Sequence, residues 1–346
     1  MIGIFNKRKT IFLVSALLLL VISLSAFSLL ILYWPQNNPH SIVKVTIATG
    51  SSLNNIAEKL FNKQVISNKG MFTLAVKLLG KEKKIPIGTY NLINAHSNYD
   101  IINQLVYGEP EVIKVRILEG WSVKQIAKYL NQKMDFDSTE IVNLTYNKSI
   151  LKYNQINGKS VEGYLYPDTY FFFPGSKPKY VLNHLISMHQ SLWTETLKKR
   201  AEFLNMSQHE VVTLASIIEG EAIYDSERAK ISGVYHNRLK KGMKLQADPT
   251  IQYIIPDSPR RLLNRDLKIK SPYNTYLNHG LPPGPINSPG KNSILAALYP
   301  EKNDFLFFVA TGDGYHTFTT NERDHNQAKK KLQKLRRELR KKKRKL

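Results

Sequence analysis

Hydrophobic and polar positions change period several times along the chain. An uncharged run from Thr10 to Pro35 contains the apolar stretch Ile11 to Tyr33, with Lys7-Arg8-Lys9 just before it. About twenty apolar residues cross a hydrocarbon core. A signal-peptide core is shorter and ends in small residues, a pattern that Ser25-Ala26-Phe27 matches poorly, so the run predicts an uncleaved anchor closed by the interfacial pair Tyr33-Trp34. The basic flank puts the amino terminus in the cytoplasm and everything from residue 36 onward outside. Gln36-Asn37-Asn38-Pro39-His40 reads as a short polar linker, whose reach of about 20 Å ties the first folded unit to the membrane-proximal layer.

Alternation begins at Ile42-Val43-Lys44-Val45-Thr46-Ile47, a strand. Laying Val43 to Leu60 over Ile113 to Leu130, an offset of seventy, brings out a repeat that shares Lys44/Lys114, Val45/Val115, Ile47/Ile117, Gly50/Gly120, Ser52/Ser122, Ile56/Ile126, Ala57/Ala127 and Leu60/Leu130. Each copy predicts a strand, a Gly-Ser turn and a short amphipathic helix capped by Ser52 or Ser122. A second strand around Gly88 to Leu92 and a helix from Tyr99 to Val106 complete the first copy. The strand-helix-helix-strand order resembles LysM-like modules, which bind N-acetylated glycans. Two generic α+β units that only position the next domain account for the same letters.

From Ser160 the pattern turns aromatic, in Val161-Glu162-Gly163-Tyr164-Leu165-Tyr166-Pro167-Asp168-Thr169-Tyr170-Phe171-Phe172-Phe173-Pro174. Such rings stack on the apolar faces of sugars, while Glu162 and Asp168 can accept hydrogen bonds from hydroxyls; a core strand with a turn at Pro167-Asp168 explains them equally well. A helix from about Tyr180 to Leu204 follows. Met206-Ser207-Gln208-His209-Glu210 then reads as a helix start with Ser207 and Glu210 as a capping box, and the helix runs to about Gly220. At about 100° per residue, Glu219 shares the stripe of Val212, Ala215 and Ser216 and points toward the core, whereas Glu221 projects to roughly the opposite side. A buried acid of this kind is either catalytic or part of a structural salt bridge.

A further helix, Asp225 to Leu239, takes Ser226 as a cap and ends in Lys240-Lys241-Gly242. Polar side chains then gather on segments read as loops: Gln246, Asp248 and Thr250, followed by Tyr273, Asn274, Thr275 and Tyr276. Gly280 to Ile286 is too rich in proline for helix or central strand. Phe305 to Ala310 reads as a buried strand, Gly312-Asp313-Gly314 as a turn, and His316-Thr317-Phe318-Thr319 as its partner.

Composition narrows the chemistry. The chain has no cysteine, which excludes disulfides, thiolate metal sites and a cysteine nucleophile. Its formal net charge is +23, and from Lys329 to Leu346 there are twelve basic residues and one acid, with Leu332, Leu335 and Leu339 at helical spacing. That tail fits attraction to anionic lipid head groups or an acidic wall polymer, or a solvated end; an exported domain rarely meets nucleic acid. No HExxH pair, P-loop, GxGxxG or GxSxG occurs, and the nine histidines lack ligand spacing, so neither metal nor cofactor is expected. His316 is a candidate substrate contact or an ordinary hydrogen-bonded strand histidine. What is left is acid/base work by a carboxyl group among amides, tyrosines and hydroxyls, the equipment of glycoside cleavage.

Leu214-Ala215-Ser216-Ile217-Ile218-Glu219, Glu227-Arg228, Asn237-Arg238-Leu239, Leu245-Gln246-Ala247-Asp248-Pro249-Thr250, Tyr273-Asn274-Thr275-Tyr276, Gly280 to Ile286 and His316-Thr317-Phe318, with Glu162 to Tyr170 upstream, together resemble the endolytic murein transglycosylase family, also called YceG-like. The resemblance covers the chain from the anchor to about residue 328. Gly220 stands where some relatives carry Lys, and the basic tail is not a general family feature. The resemblance implies an α+β protein of the plasma (inner) membrane, single-pass, its catalytic domain periplasmic or extracellular. Residues 1–10 would be cytoplasmic, 11–34 the transmembrane helix, 41–110 a first LysM-like module, 111–158 a second repeat-like segment, 159–328 the transglycosylase domain and 329–346 the basic tail.

Peptidoglycan glycan strands are the implied substrate, with peptidoglycan synthases as candidate protein partners. The family's catalytic glutamate falls on Glu219. It would be kept neutral by its apolar stripe, protonate the oxygen bridging N-acetylmuramic acid to the next sugar, and then take the proton of that residue's own C6 hydroxyl, leaving a 1,6-anhydro end. Glu162, Tyr166, Asp168, Gln246, Asp248, Tyr273, Asn274, Tyr276 and His316 are the implied substrate-binding residues. The competing class is a membrane-anchored peptidoglycan-binding scaffold without catalysis.

Overall fold

A computed structural model describes residues 2–36, 42–48, 50–256 and 258–343. The chain is α+β, opens on one long apolar helix, and divides into two compact units: residues 1–113 with 171–175, and residues 114–170 with 176–346.

In the first unit, helix α1 (Ile2–Leu32) includes the apolar span Ile11–Leu32. Strand β1 (Val43–Ile47), helices α2 (Leu53–Asn62) and α3 (Lys69–Leu78), strand β2 (Gly88–Leu92) and helix α4 (Asn98–Tyr107) follow. β1 and β2 pair antiparallel with Val45 opposite Tyr90, so alternate residues of both turn onto the helices. Side-chain caps start each helix: Ser52 accepts from the Asn55 amide, Asn68 from Met71, and Ser97 forms a capping box with Asp100. Val45, Ile47, Leu60, Phe72, Val76, Tyr90, Ile101 and Leu105 form the core, and Ile31 of α1 is sealed into it at 0% exposure.

That docking extends to Gln36, the one described residue of the expected short polar linker. Asn37 to His40 lie outside the described residues, but Gln36 is already docked: its amide donates to the His96 carbonyl, and its Nε2 donates to Asn98 Oδ1 at 2.8 Å. Asn98 Nδ2 in turn donates to the Ile31 carbonyl at 2.9 Å. An orphan carbonyl at a helix end thus finds a buried amide partner, and α1 ends inside the folded unit.

A second two-stranded sheet pairs β3 (Ile113–Arg116) with β4 (Thr169–Phe172). Between them run α5 (Val123–Met134), α6 (Ser138–Thr145) and α7 (Lys148–Tyr153), with Ser122 and Gln125 boxing the start of α5. The single helix expected from Tyr180 to Leu204 is two, α8 (Pro178–Ser191) and α9 (Glu195–Phe203). Thr194 accepts from the Leu197 amide, and this local cap ends the helical period. Next come α10 (Gln208–Glu221) and α11 (Asp225–Lys240); Tyr224 occupies the cap position of α11, so Ser226 is not the cap. α12 (Asp248–Ile254) places Asp248 and Thr250 on a helix and not on a loop, and α13 (Lys291–Leu298) follows. Strand β5 (Phe307–Ala310) is half-buried rather than buried, and pairs antiparallel with β6 (His316–Thr319). α14 (Glu322–Lys343) continues into the basic tail and lays Leu332 and Leu335 over Gly312; the Leu339 side chain lies outside the described residues.

α10 is the axis of the second unit. Its residues Val211 to Ile218 are all buried, because α9, α11, α12 and α13 pack around it. Full burial of Val211, Leu214, Ile217 and Ile218 contributes about 1.5–3 kcal/mol each. Its first and last turns emerge from that core, and the last carries Glu219.

Candidate active site

Three segments are knitted together around the end of α10. Ser216 Oγ accepts from the Ile286 amide at 3.0 Å, and Asn287 Nδ2 donates to the Ser216 carbonyl at 2.9 Å, which fixes the loop leading into α13. The Gly120 amide donates to the Ser288 carbonyl and the Ser288 amide to the Trp121 carbonyl, at 2.9 and 2.8 Å, which locks the β3–α5 turn onto that loop. Gly220 packs so tightly that a Cβ there would lie 2.6 Å from Pro249 Cβ, a physical reason for glycine at this position.

Glu219 is held between them with a side chain 7% exposed. Its Oε1 lies 3.2 Å from Nη2 of Arg228, and its Oε2 accepts from the Gly290 amide at 2.9 Å. Arg228 is itself fully engaged, donating from Nε to Asp225 Oδ1 at 2.7 Å and from Nη1 to Ser293 Oγ at 2.6 Å. Burial works against the guanidinium charge, but Asp225, Glu219 and Glu119 outweigh it and hold the pKa of Arg228 above its ordinary value. The stripe along the helix predicts apolar surroundings for Glu219; its oxygens instead meet an arginine and an amide. The stripe along α10 could not show this, since Arg228 comes from the first turn of α11 and Gly290 from the cap of α13.

A second acid stands beside this pair. Glu119, exposed in the turn after β3, sets its carboxyl against Gly290, where a Cβ would overlap it, and the Cβ position of Gly120 lies 3.8 Å from Glu219 Cγ. Partial desolvation first, then the charge of Glu219, push the Glu119 pKa up, while Arg228 opposes them.

The nominated substrate contacts fall into separate places. Tyr166 is half-buried, and its phenol is raised first by burial and then by Asp168 and Glu119, so it belongs to the surroundings of the acid pair. Asp168 is exposed and caps its own turn, accepting from the Thr169 amide at 2.6 Å. Glu162 is 5% exposed; it accepts from the Val123 amide at 2.9 Å, at the start of α5, and from Tyr253 Oη at 3.4 Å. Burial raises its pKa to about 7. Tyr273 leans on Tyr253 with ring centroids 5.0 Å apart.

Asp248 and Tyr276 bond to each other at 2.5 Å, beside Glu221, whose pKa burial and the Asp248 charge raise to about 7. Exposed Gln246 lies next to them in a left-handed backbone conformation, φ 48°, tied by its amide to the Thr275 carbonyl. Asn274 braces its own loop: it is 0% exposed, Nδ2 donates to the Leu267 and Ile269 carbonyls, and Oδ1 accepts from the Tyr276 amide. His316 Nδ1 sits 2.8 Å from Glu227 Oε2, the hydrogen-bonded strand histidine of the plainer reading. Among the described residues none of these bonds to Glu219.

Arg228 was within reach of the sequence as half of the Glu227-Arg228 pair, but nothing local assigned it a partner. Glu119 left a fainter signal: it stands where the first repeat copy has Thr49, one residue before the shared glycine.

A family model described as YceG-like matches residues 45–331. An endolytic murein transglycosylase of Bacillus subtilis strain 168 is 33% identical over 312 residues, covering 86% of either chain. A Streptococcus pneumoniae R6 protein of the same name is 28% identical over 324 residues, 84% of this chain and 58% of that protein. The 2.6 Å crystal structure of a yceG-like protein from Listeria monocytogenes superposes with a TM-score of 0.58 at 32% identity, covering 84% of this chain and 99% of that one.

Proposed function

Since the chain belongs to the YceG-like family, we propose that it is a membrane-anchored lytic murein transglycosylase with Glu219 as its catalytic carboxylate. The observation that carries the reading is the enclosed Glu219, fixed by Arg228 and the Gly290 amide in the last turn of α10, where the helix emerges from the core. A charged side chain is buried at a cost unless it is paired, and pairing of this kind orients the group without covering it completely. The reaction needs no water and no cofactor. The C1–O4 bond of N-acetylmuramic acid breaks with a proton delivered to O4, the C6 oxygen of the same sugar closes on C1, and its proton passes to a carboxylate.

Tyr166, Asp168, Gln246, Asp248, Tyr273 and Tyr276, each exposed or half-buried, are the contacts retained for substrate; Glu162, Asn274 and His316 act through the fold. α1 holds the protein in the plasma membrane with its amino terminus cytoplasmic. The β1-α2-α3-β2 unit, LysM-like in order, holds the glycan, the domain from 159 to 328 cuts it, and peptidoglycan synthases are the natural neighbours of a nascent strand.

Mass spectrometry of glycan strands incubated with the full chain and with Glu219→Gln tests the reading. The native chain should produce 1,6-anhydro ends, and the variant none, while its fold survives because Arg228 keeps Asp225 as counter-charge. A fully active variant would remove Glu219 from the mechanism, and water-added ends would change the reaction class to hydrolysis.

A further inference from the structure

Both oxygens of Glu219 are occupied as acceptors, one by Arg228 and the other by the Gly290 amide. A carboxyl that must release a proton to a leaving group is better served by an oxygen with no donor already on it. Glu119 meets that description: it is exposed, and among the described residues no hydrogen bond or ion pair is made to its carboxyl. Its position is nonetheless fixed, because the two backbone bonds through Ser288 hold Gly120 and Trp121 in place.

Gly290 stands between the acids, offering its amide to Glu219 and its bare Cα to Glu119. We propose that Glu119 is a second catalytic carboxyl, delivering the proton to the leaving oxygen while Glu219, fixed by Arg228 and Gly290, receives the proton released by the sugar hydroxyl. This rests on the assignment of Glu219 made above.

The charged and titratable groups facing Glu119 are Glu219, Arg228, Asp225 and the phenol of Tyr166. Glu219 and Asp225 favour a proton on Glu119 and Arg228 disfavours it, with partial desolvation adding to the first. In the step, the O–H bond of Glu119 breaks and its proton joins O4 as the C1–O4 electron pair moves onto that oxygen. The O6 lone pair forms the C1–O6 bond, and the O6 proton goes to Glu219. Glu119 is then one proton short and Glu219 carries one more, and that proton passes from Glu219 to Glu119 through the water that reaches the exposed Glu119 carboxyl, which restores both groups. Neither oxidant nor co-reactant is required.

A leaving group that departs without a proton separates the two roles. Full-length native protein, Glu119→Gln and Glu219→Gln are compared on glycan oligomers and on oligomers in which 2,4-dinitrophenol replaces the sugar after N-acetylmuramic acid. Loss of a general acid costs about 10²–10⁴-fold. Glu119→Gln should slow the natural strand by at least about 100-fold yet stay within a few-fold of native on the activated one, while Glu219→Gln slows both. An unchanged rate for Glu119→Gln on natural strands, or an equal loss on both substrates, overturns the proposal and leaves Glu219 in place. Full activity of Glu219→Gln instead overturns the reading beneath it.

Discussion

Glu162 shows how one residue couples the fold to pH. Its carboxyl is buried against the first amide of α5, and its pKa rises from the ordinary 4.5 to about 7. Between those values the unfolded chain has lost the proton while the folded chain keeps it, so the contribution of this residue falls as pH rises through the window and is flat above it. Gln at position 162 cannot titrate. Urea unfolding of native protein and Glu162→Gln at pH 4.5 and 7.5 should show the native chain losing up to about 3 kcal/mol against the variant; parallel behaviour at both pH values would show that the site does not hold its proton. At this scale Glu219 was legible, because a helix end and an apolar stripe are local features. Its partners were not: Arg228 and Gly290 are brought in by helix packing, and Glu119 lies a hundred positions upstream in a different repeat.

Helix starts were the most readable elements, since a cap is written within four residues. Ser207 Oγ accepts from the Glu210 amide at 3.2 Å and Glu210 Oε2 from the Ser207 amide at 2.8 Å, as the spacing alone suggested. Ser207→Ala should cost about 1 kcal/mol, visible as a lower thermal midpoint, with transglycosylation at low temperature unchanged because Glu219 is at the other end of α10. An unaltered midpoint would mean that packing alone starts this helix. The break between α8 and α9 is hidden for the converse reason: the helical period from Tyr180 to Leu204 continues across it, and only the local cap at Thr194 marks it. The apolar letters of β5 predict a buried strand; its partial exposure depends on how far the later β6 and α14 cover it.

Across the whole molecule, similarity between the repeat copies did not foretell their placement. β1 and α2 belong to the first unit and α5 to the second, because each copy packs on helices that the other lacks. The join between α1 and the first unit can be tested by truncation. A chain begun at residue 29 keeps Ile31 in the core, whereas one begun at residue 33 loses Ile31 and its carbonyl, the acceptor for Asn98. The second should be less stable by about 2–5 kcal/mol in urea; equal midpoints would mean that Ile31 adds nothing to that core.

The same burial sets a limit on the length of α1 that is free for a bilayer. Ile31 cannot face both lipid tails and a water-side interior, so hydrocarbon must stop before it. The twenty residues from Ile11 to Leu30 rise about 30 Å at 1.5 Å each, the depth of the lipid interior itself, with no spare turn. With α1 as a membrane anchor, the first unit would sit at the headgroups, and a thicker bilayer would have to tilt it or dimple around it.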